Sequence, residues 1–345
     1  MSTAKKYFIQ EHLHREVFHG GIGNVDAEKI FIAKGYQPIE FPGTNDFSIR
    51  SKWKRLLYLI RLFFRISSGD LLVFQFPTYA KIHELLITLL RIKGVRIICL
   101  ILDIDGLRNG NEDVLEKEKK AFRRFQLFIV HNERMRLWLQ TIIPHATIAE
   151  LQFFDFLTTR ANHFQKKDTR IVFAGNLQKS RFIQDLEKLS GPCPEITFSI
   201  YGPDYPAQNA FPKNVDYKGV FAPCELVNHL QGSFGLVWDG TSIESCTGSY
   251  GDYLAYNSPH KLSLYIMAGI PLIAPKMSAS AQLIEQYGIG CTIDRLSEID
   301  KVIKNISDEE YQKMVDNTRP LAVQLSQGHF LKRALTELEQ TVYEN

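Results

Sequence analysis

A chain of 345 residues is too long for one small binding module and, at roughly 100 to 200 residues per domain, fits two domains with separate cores. Its 45% hydrophobic, 12% aromatic and 23% charged residues match ordinary globular proteins, which excludes long disorder and collagen-like structure. The net charge of +3 hides a segregation, since residues 1 to 160 hold 24 Lys and Arg against 17 Asp and Glu and the remainder 17 against 21, so the amino half is the one suited to an anionic partner.

Met1 to Gln10 turns polar before a signal-peptide run accumulates, and Tyr7 to Gln10 reads as a first strand. A polar stretch with His12, His14, Arg15 and His19 follows. Next comes Gly20-Gly21-Ile22-Gly23-Asn24, opening a helix from Val25 to Lys34 with Asn24 as N-cap and Gly35 as terminator. A glycine-rich turn at a helix start can cradle a phosphate, which marks Gly21 and its neighbour His14 as cleft candidates. The full dinucleotide fingerprint is missing, and a purely structural turn is the competing reading.

Ile49 to Arg65 carries Arg50, Lys52, Lys54, Arg55, Arg61 and Arg65 with no acid, interleaved with Trp53, Leu57, Ile60, Phe64 and other apolar residues. This basic amphipathic helix suits the headgroup region of an anionic membrane, and reads equally as a sheet-packing helix with solvated basic flanks. No nucleic-acid recognition motif accompanies the bases. Strands follow at Asp70 to Phe76, Val95 to Asp103 and Phe125 to His131, and Asn132 caps a helix from Glu133 to Gln140. Asp103-Ile104-Asp105 sits where a parallel strand ends, the place where α/β sheets keep their chemistry.

From Thr158 to Thr169 the sequence is polar and aperiodic, as expected of an exposed connection. The division read here is an amino-terminal domain over 1–160, a second over 168–325, and a helix over 326–345 returning to the first. Strands resume at Arg170 to Ala174, Glu195 to Tyr201, Phe234 to Trp238 and Ile270 to Ala274, with helices Phe182 to Leu189, Glu225 to Gln231 and His260 to Ala268 between them. Two parallel units with right-handed crossovers predict two Rossmann-like domains facing across a cleft.

The strand-to-helix loops of the second unit offer Gly175-Asn176, the cation Arg181, and Tyr201-Gly202-Pro203, where a ring could stack on a base. Ser258 to Ile273 is the most informative stretch. Pro259 fits a first helical turn, Lys261 follows at the helix start where an anion is favoured, Leu262, Tyr265 and Ile266 share a core face, and Gly269 with Pro271 ends the helix. Gly240 to Asn257 is long enough for a lid or acceptor-facing insert, or is a plain surface loop. The five cysteines form no Cys-x-x-Cys pair, which fits a reducing cytoplasm. The longest apolar runs, Val95 to Leu102 and Leu85 to Leu90, fall short of the about 20 residues that cross a bilayer. The expected location is the cytoplasm, including the inner face of the membrane.

Phe234-Gly235-Leu236-Val237-Trp238-Asp239 and Ser258 to Ile273, with Phe173 to Asn176, Asp103, Leu107-Arg108, His131-Asn132 and Met135, resemble two-domain glycosyltransferases of the GT-B fold. More narrowly they resemble the streptococcal glucosyltransferases that extend N-acetylglucosamine on serine-rich adhesins and the bacterial galactofuranosyltransferases of O-antigen synthesis. The resemblance implies a UDP-hexose donor carrying glucose or galactofuranose, a glycan or lipid-linked acceptor, diphosphate contacts from Lys261 and Arg181, and base or ribose contacts near Tyr201. Retaining enzymes of this fold commonly carry two glutamates around the donor, and Tyr265 stands where the second would lie. For an inverting reaction Asp103, Asp105 and His14 are the candidate bases, whereas same-face attack lets the leaving phosphate take the proton. Asp-x-Asp also suits a divalent metal in single-domain transferases, but a second α/β unit with its own phosphate lysine speaks against one, so no cofactor or metal is expected. A UDP-sugar epimerase or hydrolase and a non-catalytic partner subunit are the competing functions. A homo-oligomer is compatible with the sequence.

Overall fold

The computed structural model describes residues 4–14, 21–43, 46, 48–78, 80–161, 166–205 and 211–344. Arg15, His19 and Gly20 lie outside the described residues. Two six-stranded sheets, parallel throughout, organise the chain. The first contains β1 (Lys6–Ile9), β2 (Gln37–Ile39), β3 (Leu71–Phe76), β4 (Arg96–Ile101), β5 (Leu127–Val130) and β6 (Thr147–Glu150), in the order β2-β1-β3-β4-β5-β6. The second contains β7 (Arg170–Ala174), β8 (Thr197–Tyr201), β9 (Val215–Gly219), β10 (Phe234–Leu236), β11 (Leu272–Pro275) and β12 (Gly290–Ile293), in the order β12-β11-β10-β7-β8-β9. The first has the flavodoxin-like order and the second the dinucleotide-fold order, so strand order reverses between β1 and β3 in one and between β7 and β10 in the other.

The central strands are apolar along their whole length because helices cover both faces. All six residues of β3 are buried, as a doubly covered parallel strand requires. Among the described residues one core cluster joins Phe8, Val73 and Leu100 of the first sheet to Ile171, Phe198 and Leu272 of the second. The two units are therefore packed together across Leu151–Ala161 and the last two helices, Asp308–Ser326 and His329–Glu344. The last helix lies against β5, β6 and the helix Ile22–Ala33. Its start is tied down by Asp155, whose carboxylate accepts from the Phe330 and Leu331 amides at 3.1 and 2.7 Å.

Several local expectations change. The first helix runs Ile22–Ala33 with Gly21 at its N-cap, at φ 77°, a left-handed conformation that glycine enters without penalty. Asn24 therefore sits inside the first turn. Arg181–Ser190 is a 3-10 helix, and the helix expected from His260 is Lys261–Met267, with Pro259 just before it. Strands β2, β6, β9 and β12 have three to five residues each, too few for a period to show in sequence. Asn132 caps Glu133–Ile142 as read, its side chain accepting from the Met135 amide.

Candidate active site

Both sheets turn strand ends toward one cleft of about 1190 Å³. On the second-domain wall β7 ends at Ala174, and Gly175 follows. A Cβ on Gly175 would lie 3.0 Å from Cε of Lys261, and one on Gly202, at φ 139°, would lie 1.8 Å from the Gly175 carbonyl oxygen. The two glycines let the ends of β7 and β8 close together with the lysine stem laid over them. Lys261 Nζ donates to Asp239 Oδ1 and Oδ2 at 3.0 and 3.2 Å and stands 4.5 Å from the Phe173 ring centroid. A longer contact to the Trp238 carbonyl at 3.5 Å completes the three donors of the ammonium, so an anion entering the cleft takes the place of the weakest of these partners.

Tyr265 fixes that wall from behind. It is fully buried, its hydroxyl accepts from the Ala174 amide at 3.0 Å and donates to the Leu236 carbonyl at 3.2 Å, and its ring fills the space that a side chain on Gly235 would need. The position read as a missing donor-side acid thus ties β7 to β10 at the strand-order reversal.

On the first-domain wall the loop after β1 is shaped by a buried carboxylate. Glu28, on the helix Ile22–Ala33, accepts from the amides of Glu11, His12 and Leu13 at 2.7, 2.9 and 2.6 Å. Three consecutive N–H groups aimed at one anion hold the loop in a single shape and turn the Glu11 side chain to the cleft. Glu11 Oε1 accepts from Thr78 Oγ1 at 3.0 Å and meets His83 Nδ1 in a short hydrogen bond. His83 is buried, lines the cleft, and its Nε2 has no partner among the described residues. Burial alone would raise the Glu11 carboxyl, but the hydrogen bond and charge of His83, then Thr78 and His12, outweigh it and hold the group below its ordinary value. Glu11 follows β1 while Thr78 and His83 follow β3, so this cluster occupies the strand-order reversal of the first sheet.

The residues singled out from sequence separate here. Asp103, His14, Gly21, Gly175, Asn176, Tyr201 and Lys261 line the cleft, and Asp105 and Arg181 do not. Arg108 bonds Asp103 and, at 2.5 Å, Asp105, so a guanidinium occupies the place a metal bridging this Asp-x-Asp would take. Burial raises the Asp103 carboxyl, opposed by Arg108. Arg181 is exposed at the start of its 3-10 helix. Tyr201 is 1% exposed and its hydroxyl is held by the His229 carbonyl and the Gln231 amide, so its ring is not free to stack on a base. Phe221, in contact with Tyr201 and half-buried, is the aromatic ring of that wall. Asn176 is spent on Asp204 and on the Lys179 amide.

The glucosyltransferase 3-like family provides two domain models, and both match in order: the N-terminal domain over residues 6–142 and the C-terminal domain over 171–338. The chain belongs to the glucosyltransferase 3-like family. It is 28% identical over 281 residues to beta-1,6-galactofuranosyltransferase WbbI of Escherichia coli K12, covering 79% of this chain and 80% of that protein. Glucosyltransferase 3 of Streptococcus gordonii is 27% identical over 279 residues, with the same 79% and 80% coverage. Among solved structures, Anabaena HepE in complex with UDP-glucose superposes with a TM-score of 0.59 at 12% identity, over 99% of this chain and 100% of that one. The fold is GT-B and the protein is a glycosyltransferase.

In this glycosyltransferase the seam between the domains is built from polar groups as well as apolar ones. His131 Nε2 bonds the Ile101 carbonyl at 3.1 Å and its Nδ1 meets the Ser258 amide at 3.1 Å, which makes Nδ1 the acceptor and the ring neutral. Burial lowers its pKa to about 4. His260, also lowered to about 4 by burial, lies against Gly23, where a Cβ would come within 3.3 Å of its ring. Part of the glycine-rich turn is thus small so that the opposite domain can approach. Tyr253, from the loop read as a lid or surface insert, is buried in the core of the first domain and its hydroxyl accepts from the Ile104 amide at 3.0 Å. That loop is a strut between the domains.

Sequence reasoning missed Glu11, His83 and Glu28, and named Asp239 only as the end of a motif, without the bond to Lys261. A detectable signal existed for Glu28, an acid between Val25 and Phe31 on the buried face of a helix, because an acid on such a face is stable only with partners. Nothing local marks Glu11 and His83, which are 72 positions apart.

Proposed function

We propose that this glycosyltransferase moves a hexosyl group, glucose or galactofuranose, from a UDP-sugar to a glycan acceptor of bacterial surface polysaccharide or glycoprotein. The observation carrying this reading is the placement of Lys261 and Glu11 on facing walls of one cleft, each at the strand-order reversal of its sheet. The donor class is supported by the resemblance and by the UDP-glucose that HepE holds on the same fold. The hexose choice follows the two relatives, one a galactofuranosyltransferase and one a glucosyltransferase.

Lys261 stabilises negative charge as the diphosphate departs, an interaction that strengthens in the transition state. With inversion, Glu11 takes the acceptor hydroxyl proton while Thr78 and His83 hold its carboxylate toward the cleft. Asp103 and His14, the bases singled out from the sequence, also line the cleft. With retention, the leaving phosphate accepts the proton and Glu11 orients the acceptor. Lys261→Ala is expected to weaken UDP binding by roughly tenfold or more, consistent with loss of a charge-assisted contact of about 1.5–3 kcal/mol. Unchanged UDP affinity by calorimetry removes Lys261 from the donor site. Glu11→Gln then decides the proton acceptor: a kcat loss of about 10²–10⁴ with UDP affinity intact assigns it to Glu11, and a loss of only a few-fold denies it.

A further inference from the structure

We infer that the helix Ile49–Arg65 and the neighbouring helix Lys81–Ile92 form a docking face for an anionic membrane, placed so that the cleft opens at the bilayer surface. The inference deepens the proposed function by naming a membrane-held acceptor, a glycan on a lipid anchor, as what that cleft meets.

The first observation is apolar exposure. Among the described residues fourteen large hydrophobic side chains are exposed, and eight belong to these two helices. Trp53 is 61% exposed, Leu57 62%, Phe64 77% and Ile92 73%. On Ile49–Arg65 only Ser51, Leu59 and Leu62 are buried, so the helix rests on the fold by a narrow edge and leaves most of its apolar surface uncovered. Apolar exposure of this extent on paired helices marks a contact surface.

The second observation is charge. The helix Ile49–Arg65 has six cations and no acid. Lys81, Arg91 and Lys93 add to it, against Glu84 and the nearby Asp46. Lys93 reaches the Phe63 carbonyl at 2.5 Å and stacks 4.8 Å from its ring centroid, which joins the far ends of the two helices into one face. A two-fold contact between copies of this chain would set the patch against itself, cation on cation, over a surface where cations far outnumber the acids Glu84 and Asp46. An anionic bilayer accepts both features together, with aromatic and aliphatic side chains entering the acyl boundary and each Lys or Arg near the surface adding to the attraction.

The third observation is continuity with the site. Lys52 and Arg55 of the first helix, and Lys81, Ile82 and His83 of the second, also line the cleft. The helix pair thus presents the docking face on one side and, on the other, His83, which holds Glu11 at the cleft, and an acceptor anchored in the bilayer reaches the cleft without leaving the membrane.

The test uses the full chain with mixed phosphatidylcholine–phosphatidylglycerol vesicles, pure phosphatidylcholine vesicles as control, and two variants outside the cleft, Trp53→Ser/Leu57→Ser/Phe64→Ser and Lys54→Glu/Arg61→Glu. Expected are salt-sensitive flotation with the anionic vesicles, a blue shift of Trp53 emission, and a loss of affinity of roughly tenfold or more in each variant. Turnover of a soluble acceptor should be unchanged in both variants, and turnover of a vesicle-anchored acceptor reduced. Absence of binding to anionic vesicles, flotation that both variants retain, or a wild-type dimer that the triple substitution dissolves overturns the docking face. Soluble turnover reports on the proposed function separately, since its loss in the wild type sinks that reading while vesicle binding still stands.

Discussion

Glu28 is 0% exposed and yet sets the geometry of the first-domain wall of the cleft. Its carboxylate is raised by burial, and the three amides of Glu11, His12 and Leu13 oppose that shift. Glu28→Gln keeps the shape but exchanges one acceptor oxygen for an amide donor, so at least one of these N–H groups loses its partner. A buried unsatisfied donor costs about 1–3 kcal/mol. The expected outcome is that loss in chemical denaturation together with a fall in kcat and little change in UDP affinity, because the loop it shapes lies across the cleft from Lys261. A parallel loss of UDP affinity would place Glu28's effect on the whole cleft and not on the first-domain wall.

Among the elements, the segment between β10 and the helix Lys261–Met267 departs furthest from its appearance in sequence. A run rich in Ser, Thr, Gly and Tyr reads as a lid, an acceptor-facing insert or a plain surface loop, but it contains the short helix Ser249–Tyr253 and delivers Tyr253 into the core of the opposite domain. The same hydroxyl that receives the Ile104 amide also bonds Asp103, so the end of β4 is held by a residue of the other domain. Tyr253→Phe keeps the ring and removes these bonds, with an expected cost of about 1–3 kcal/mol from the stranded Ile104 N–H. Thermal denaturation should show the loss, and hydrogen exchange should show faster opening at Ile104 than in the wild type. Unchanged exchange there would mean that the ring alone makes the strut.

At the scale of the whole molecule the domain seam predicts a pH response. His131 and His260 sit there neutral, each lowered to about 4 in the folded protein from about 6.5 when unfolded. Between those values the unfolded chain binds more protons, so stability rises with pH and is lost as pH falls from 6.5 toward 4, with about 3 kcal/mol at stake per histidine. Asp155, raised to about 7 by burial against the bonds from Leu331 and Phe330, acts in the opposite sense and loses its contribution as pH rises through 7. Within the seam two histidines outweigh one aspartate below 6.5, while Glu28, Asp103 and Glu118, raised by burial elsewhere, act with the aspartate. The histidine part is isolated by comparison: on acidification from pH 6.5 to 4.5 the melting temperature of His131→Gln should fall less, or rise more, than that of the wild type. Identical pH profiles for the two proteins would show that His131 does not carry the seam.

Much of the architecture was legible in the residue order. The apolar runs of β3 and β4 and the Asn132 cap announce their own local structure because a buried parallel strand and a helix start are set by neighbours in sequence. Lys261 was found for the same reason, its helix start, Gly269 and Pro271 being a local signature. The short outer strands and the reach of Tyr253 into the opposite domain were not, since their partners are distant in sequence. Tyr201 was misjudged because a turn motif does not reveal that the ring before it is already covered. Residue order by itself determined two parallel α/β units and a lysine at a helix start, both of them short-range patterns of polarity and turn chemistry, while the family came from a resemblance of whole motifs. Only the tertiary structure decided that Glu11 and His83 meet, that Arg108 claims Asp103 and Asp105, and that the face of Ile49–Arg65 stays uncovered, because each depends on which distant side chains packing brings within bonding distance or leaves in solvent.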